Sequence, residues 1–263
     1  MSARVIVTGA AGGIGGATVE LLRTRGASVV GLDLAGADVE CDVRSQASVD
    51  AAVATAIERL GGLDVLINNA GLGTPQSAGL PPDEEALELL SVNLVGPWRV
   101  TAAALPALRE SRGRVVNVAS GLAHMTLPFA TAYTISKRGV VAYSDVLRLE
   151  EGDRLSAVTT VYPGYIRTRI HERSTAAGVP LEGSVPVEDV SDAARTLVRA
   201  ALGPPARDLA TTRQGAVAYA LLRLAPRPLV DAITRRQMRR LARRGHFAAS
   251  GIAAEFAARL AKE

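Results

Sequence analysis

One cysteine, Cys41, stands in 263 residues, so the chain cannot close a disulfide on itself or build a cysteine-rich metal site. No metal site is expected, and so sparing a use of thiol suits a reducing, cytoplasmic setting. Spanning a bilayer takes roughly 20 mostly apolar residues in a row. Here Arg, Asp, Glu or Gly cuts every long apolar run, and no integral membrane segment is expected. The opening Met-Ser-Ala-Arg-Val-Ile-Val-Thr-Gly lacks the basic start, apolar run and small-residue cleavage site of a secretory signal, so export is not expected either. Aromatic residues make up only 3%. None lies between Arg223 and Arg244, where eight arginines against one acid, Asp231, give +7 and leave the rest of the chain at −3. Single-strand nucleic-acid platforms interleave aromatics with their basic residues, and nucleic acid is therefore not an expected partner.

What is present is an ordinary globular balance, 48% apolar and 21% charged. Chains of this length form one α/β unit around one core, and residues 1–263 read as a single domain. Short β-branched runs at Val5 to Thr8, Ser28 to Leu32, Val65 to Asn68, Arg114 to Val118 and Ala157 to Val161 alternate with helical patterns. The helical stretches are Gly13 to Arg25, Ser48 to Leu60, Glu84 to Arg109 and Thr131 to Leu149, with Ser45 as a cap and Gly26 and Gly113 as stops. Such alternation predicts βαβ units and a parallel sheet with helices on both faces. Residues 165–186 show little periodicity and read as a substrate loop, and residues 213–263 as a helical extension.

Thr8-Gly9-Ala10-Ala11-Gly12-Gly13-Ile14-Gly15 follows the first strand and opens the first helix. A glycine turn there lets the backbone approach a pyrophosphate, while the helix offers unpaired N–H groups and a positive dipole end. Asp33, at the end of the second strand, is placed to accept both ribose hydroxyls of adenosine. A 2′-phosphate would meet that carboxylate as a like charge, and Leu34, Ala35 and Gly12 supply no basic relief, so NAD is expected over NADP. Asp42, after the third strand, has two readings, a bond to the adenine amine or a cap for the helix near Ser45.

Tyr133 and Lys137 are four apart on a helical pattern and share a face. Making a tyrosine a base near neutrality takes a shift of about three pKa units, about 4 kcal/mol. One ammonium about 4 Å away supplies roughly that at an effective dielectric near 20. Ser120 ends a strand at the edge where open α/β sheets bind ligands, and its hydroxyl could hold a substrate oxygen. Asn93 sits within a helical pattern that disfavours asparagine, and Asn68 and Asn69 read as buried structural amides.

Taken in order, Thr8 to Gly15, Asn68 to Gly71, Asn93, Ser120, Tyr133, Lys137 and Pro163-Gly164 resemble the short-chain dehydrogenase/reductase family from residue 2 to about residue 170. The resemblance implies a Rossmann-type, doubly wound, mainly parallel seven-stranded sheet. It implies a tetrad of Asn93, Ser120, Tyr133 and Lys137, with Tyr133 as acid/base, Lys137 on the nicotinamide ribose, Ser120 on the substrate oxygen and Asn93 holding a water. It extends the cofactor contacts to Ile14, Leu34, Val43, Asn69 and Ala70, and to Ile166 and Thr168 beside the nicotinamide. Substrate contacts then fall to Gly121, Leu122, His124, Met125, Leu127, Phe129 and Tyr165, a mostly apolar set. The function implied is hydride transfer between NAD(H) and a hydrophobic secondary alcohol or ketone, in a homotetramer or homodimer. A nonenzymatic dinucleotide-binding sensor of the same fold is the alternative. His124 and His171 read as solvated loop histidines.

Between Leu229 and Arg244, Val230, Ile233, Met238 and Leu241 fall on one side and six arginines on the other. A solvated outer face is the commonest reading of such a helix; a membrane-surface contact and a dock for an acidic partner are the others. Alanine and arginine richness along the whole chain also suits a bacterial genomic bias.

Overall fold

The computed structural model describes residues 2–168, 170, 172–179, 187–247 and 250–262. Val5, Ile6 and Val7 of β1 (Arg4–Thr8) are wholly buried, as a strand covered on both faces requires. The chain continues through α1 (Gly13–Thr24), β2 (Ser28–Asp33), β3 (Val39–Glu40), α2 (Gln46–Leu60) and β4 (Val65–Asn68). Next come α3 (Glu84–Leu90), α4 (Gly96–Ser111), β5 (Arg114–Val118), α5 (Thr131–Glu151) and β6 (Ala157–Tyr162). The last third holds β7 (Tyr165–Ile166), α6 (Glu172–Ala176), β8 (Val187–Glu188), α7 (Val190–Leu202), β9 (Asp208–Ala210), α8 (Arg213–Leu224), α9 (Arg227–Arg243) and α10 (Ala254–Lys262).

Seven strands pair in the order β3-β2-β1-β4-β5-β6-β9, every pair parallel, and β7 with β8 makes a separate two-stranded ribbon. This is the doubly wound Rossmann-type sheet. Alternate residues of each strand face opposite layers. Ile6, Leu66 and Val115 meet α2 and α4 through Val49, Val53, Val100 and Leu108. Val5, Val7, Ile67 and Val116 meet α1 and α7 through Val19, Leu22, Leu197 and Val198. Since all strands run the same way, Thr8, Asp33, Asn68, Val118 and Tyr162 end along one edge.

The helix expected over Glu84 to Arg109 is not continuous: a π-helical turn, Ser91–Val95, separates α3 from α4, whose first turn carries Pro97. A wider turn swings Asn93 inward, where it is fully buried. The stretch expected as a structureless loop from residue 165 holds β7 and α6; its 180–186 portion, like His171, lies outside the described residues. In α9, Val230, Met238 and Leu241 are buried as expected, but Ile233 is exposed, because Leu229 and Ile233 stand on the flank turned away from the core. No described helix is long and apolar enough to cross a membrane.

Candidate active site

The glycine turn is built for close backbone approach. Gly9 has φ +68° and a Cβ there would lie 2.8 Å from the Ala70 backbone; a Cβ on Gly15 would strike the Gly9 carbonyl at 1.9 Å. Gly15 therefore packs the helix onto the turn and is not among the cleft-lining residues, whereas Gly9, Gly12, Gly13 and Ile14 are. Side-chain oxygens of Ser45, Asp83, Asp189 and Thr212 cap α2, α3, α7 and α8. The start of α1 has no side-chain cap and no acid in its first turn, which leaves its N–H groups for an anion. The residues present thus fit a dinucleotide pyrophosphate.

Two staples fix the turn. The Thr8 hydroxyl accepts from the backbone N–H groups of Asn69 (3.0 Å) and Ala70 (3.1 Å), and the Asn69 amide donates to Thr8 O and Gly9 O. Asn68 is the buried structural amide expected, donating to Thr101 (2.9 Å) and Asn117 (2.8 Å). Asp33 accepts from Ala11 N (2.9 Å) and from Leu34 N (2.8 Å), so its carboxylate stands beside the glycine turn with Leu34 lining the same wall.

Asp42 does not cap α2; Ser45 does, and Asp42 instead accepts from the Arg44 guanidinium, which holds its carboxyl below the ordinary range. Val43 lines the cleft as expected, and so does Arg44, which sequence reasoning missed. That guanidinium is shared between Asp42 and Glu88, so it meets the cleft already paired with two carboxylates.

Ser120, Tyr133 and Lys137 converge on one wall of a cleft of about 1070 Å³ at the carboxyl ends of the strands. The Ser120 hydroxyl bonds the Tyr133 side chain, which lowers the phenol's pKa, but burial acts more strongly and leaves it above its ordinary value. The strong downward pull expected of Lys137 is absent here. Its Nζ lies 5.7 Å from the centre of the Tyr133 ring and donates to Val118 O at 3.0 Å, and burial lowers its own pKa to about 8. Asn93 does not line the cleft. Its amide bonds both backbone groups of Leu72, and its Nδ2 also reaches Ser136 Oγ at 3.4 Å.

Gly121, Leu122, Met125, Leu127 and Tyr165 line the cleft, together with Ala70, Pro163, Gly164, Ile166 and Thr168. Phe129 does not. It adopts φ +63° and turns its ring to Phe256 (5.2 Å) and Phe247 (6.4 Å), and it borders a separate small cavity with Thr74, Ser174 and Val179. Nor is His124 solvated: its ring packs against Tyr219 (4.8 Å) and Tyr162 (5.3 Å), and burial, with Arg223 nearby, lowers its pKa.

Several cleft residues escaped the sequence reading because remote segments bring them there. Glu188 accepts from Gly164 N (2.8 Å) and from the Thr211 and Thr212 hydroxyls, tying the Pro163-Gly164 turn to the start of α8. Arg173 of α6 sits 4.0 Å from both Glu85 and Glu88 across the opening. Ala218, Tyr219 and Leu222 of α8 complete the wall.

Residues 3–178 match the family model for short chain dehydrogenase. Human 17-beta-hydroxysteroid dehydrogenase type 6 is 36% identical over 62% of this chain and 57% of its own length. A Streptomyces coelicolor protein inferred to be a ketoacyl reductase is 39% identical over 49% of this chain and 50% of its own. The chain thus spans little more than half of these relatives. The 3-oxoacyl-[acyl-carrier-protein] reductase of Vibrio harveyi is 32% identical over 62% of this chain and 73% of its own. The ligand-free aldohexose dehydrogenase of Thermoplasma acidophilum superposes with a TM-score of 0.69 at 26% identity, covering 80% of this chain and 92% of that one. From the uncapped glycine turn to the Ser120, Tyr133 and Lys137 wall, the chain belongs to the short-chain dehydrogenase family.

Proposed function

We propose that this protein is an oxidoreductase that moves a hydride between NAD(H) and a hydrophobic secondary alcohol or ketone. The observation that carries this reading is the convergence of Ser120, Tyr133 and Lys137 on a cleft whose other arm passes the uncapped start of α1 and ends at Asp33. Dinucleotide binding is a property of the family; the preference for NAD rests on Asp33, whose carboxylate would face a 2′-phosphate as a like charge. Arg44 offers little relief, because Asp42 and Glu88 already neutralise it.

When bound, the nicotinamide supplies the hydride acceptor or donor. Tyr133 takes the hydroxyl proton of the alcohol, or returns it to the ketone oxygen, and Ser120 orients that oxygen by hydrogen bonding. The buried Lys137 ammonium keeps positive charge beside the phenol and binds the ribose. With burial raising the Tyr133 pKa, Lys137 alone does not make the phenol a base near neutrality, and an oxidised nicotinamide held beside it would supply further positive charge. Asn93 acts through its hold on the Leu72 backbone next to the cleft wall.

Leu122, Met125, Leu127, Tyr165, Ala218 and Leu222 support an apolar substrate. The relatives named for a steroid and an acyl thioester accord with that better than the one named for an aldohexose. Residues 1–263 act as one unit in this reading, assembled as a homodimer or homotetramer through α4 and α5, where Trp98 is 61% exposed and stacks on Tyr143 at 5.9 Å. Screening secondary alcohols for NADH absorbance tests the reaction. Turnover of hydrophobic alcohols that is lost in Tyr133→Phe supports it; turnover confined to sugars, or none with any alcohol or ketone, overturns it.

A further inference from the structure

The inner side of α8 walls the cleft through Gly215, Tyr219 and Leu222. Its opposite side puts Val217, Leu221 and Leu224 into solvent at 62%, 65% and 83% exposure, in the i, i+4, i+7 spacing of one helical stripe. After the turn at Ala225 and Pro226, α9 repeats the arrangement: Leu229 and Ile233 are 52% and 59% exposed, and Arg236 and Arg240 continue the same stripe over the next turns. No residue of α8 is buried. Large apolar side chains aligned in one exposed stripe on each of two successive helices, rather than scattered, mark a surface available to be covered.

Charge identifies what covers it. From Arg213 to Arg244 nine arginines face a single acid, Asp231. A second copy of the chain would set this charge against itself, which leaves an anionic partner. An acidic protein partner would need a groove to grip, whereas these side chains form narrow stripes along the outer flanks of two helices. A fluid bilayer accepts apolar side chains one at a time while arginine stems reach back to the headgroups. We propose that the outer faces of α8 and α9 seat this protein peripherally on an anionic lipid surface, through Val217, Leu221, Leu224, Leu229 and Ile233 and the flanking arginines. This contact does not depend on the chemistry of the cleft, though α8 would hold the cleft beside the bilayer.

Sedimentation of the full chain with vesicles of phosphatidylcholine, alone or mixed with phosphatidylglycerol, tests the proposal at low and high salt. Expected is pelleting with the anionic vesicles only, weakened by salt. The exposed pair Leu224→Ser with Leu229→Ser should keep its Tm and cofactor binding yet lose affinity at least about tenfold. Arg236→Gln with Arg240→Gln should lose about tenfold and show a shallower salt dependence. Absence of pelleting with anionic vesicles at low salt overturns the proposal, and so does pelleting that the leucine pair does not weaken. Tight binding to soluble polyglutamate without vesicle binding would assign the surface to an acidic protein and overturn it equally.

Discussion

Asn93 clasps the peptide of Leu72 from both sides, its carbonyl accepting from Leu72 N at 2.7 Å and its amide donating to Leu72 O at 2.8 Å. A π-helical turn is what aims it there, so a local helical irregularity and a distant strand-end loop are one structural unit. Asn93→Ala strands two backbone groups at a cost of about 1–3 kcal/mol each. For a chain of this size each kcal/mol lowers Tm by roughly 2–4 °C. Calorimetry should show that fall, with turnover dropping alongside because Gly71 and Leu72 line the cleft. An unchanged Tm would mean the clasp carries no energy.

Tyr133→Phe should abolish turnover while NADH binds almost as before, because the ring's packing remains and only the transferable proton goes. General acid–base catalysis is worth roughly 10²–10⁴-fold, and the loss should be at least about that size. Ser120→Ala should cost turnover and spare the cofactor. Retained activity in Tyr133→Phe on a substrate of the wild type would place the proton donor elsewhere.

Lys137 is expected to be a stability liability in the cofactor-free protein. Its folded pKa of about 8 lies below the ordinary lysine value of 10.5, so between those values the unfolded chain binds more protons and stability rises with pH. Below pH 8 the full penalty stands, of order 3 kcal/mol from about 1.4 kcal/mol per unit. Lys137→Met should raise the Tm of the cofactor-free protein near neutrality, flatten its dependence on pH across that window, and abolish turnover. A lower Tm would show that the ammonium's bond to Val118 O outweighs its burial.

Asp33→Ala should narrow the preference for NAD over NADP by weakening NAD and relieving repulsion of the 2′-phosphate. Fluorescence titration of both cofactors reads the ratio. Equal affinities already in the wild type would remove Asp33 as the selector and turn attention to Arg44.

Trp98→Arg should split the assembly proposed for α4 and α5, since a charge would stand where an exposed indole is available for burial. Light scattering that shows a monomer for the wild type at micromolar concentration would refute that interface.

The parts of the site that are local in the chain were legible in the sequence. A glycine turn, Asp33 eighteen residues after Gly15, and Tyr133 four before Lys137 announce themselves because strand end and helix pitch fix their placement. Central strands were legible for the same reason, as short β-branched runs. What escaped depends on packing between remote segments: the π turn at Asn93, the Glu188 tie to Gly164, and α8 closing the cleft. Phe129 shows the limit most clearly. Its apolar character suited a substrate wall, but a left-handed backbone and two phenylalanines more than a hundred residues later turn it the other way. The tyrosine–lysine spacing likewise gave proximity without the electrostatics, which burial decides.

Phe129, held by Phe247 and Phe256, also fixes how this protein can be recombined. The family match ends at residue 178, whereas Tyr219 and Leu222 of the cleft wall come after it. A chimera joined near that point would take its glycine turn and its Ser120–Tyr133 pair from one parent and the α8 wall of its cleft from the other. The three phenylalanines straddle the junction, so a donor's last third grafts cleanly only if positions 129, 247 and 256 travel together; otherwise the segment that carries Ser120 loses its brace.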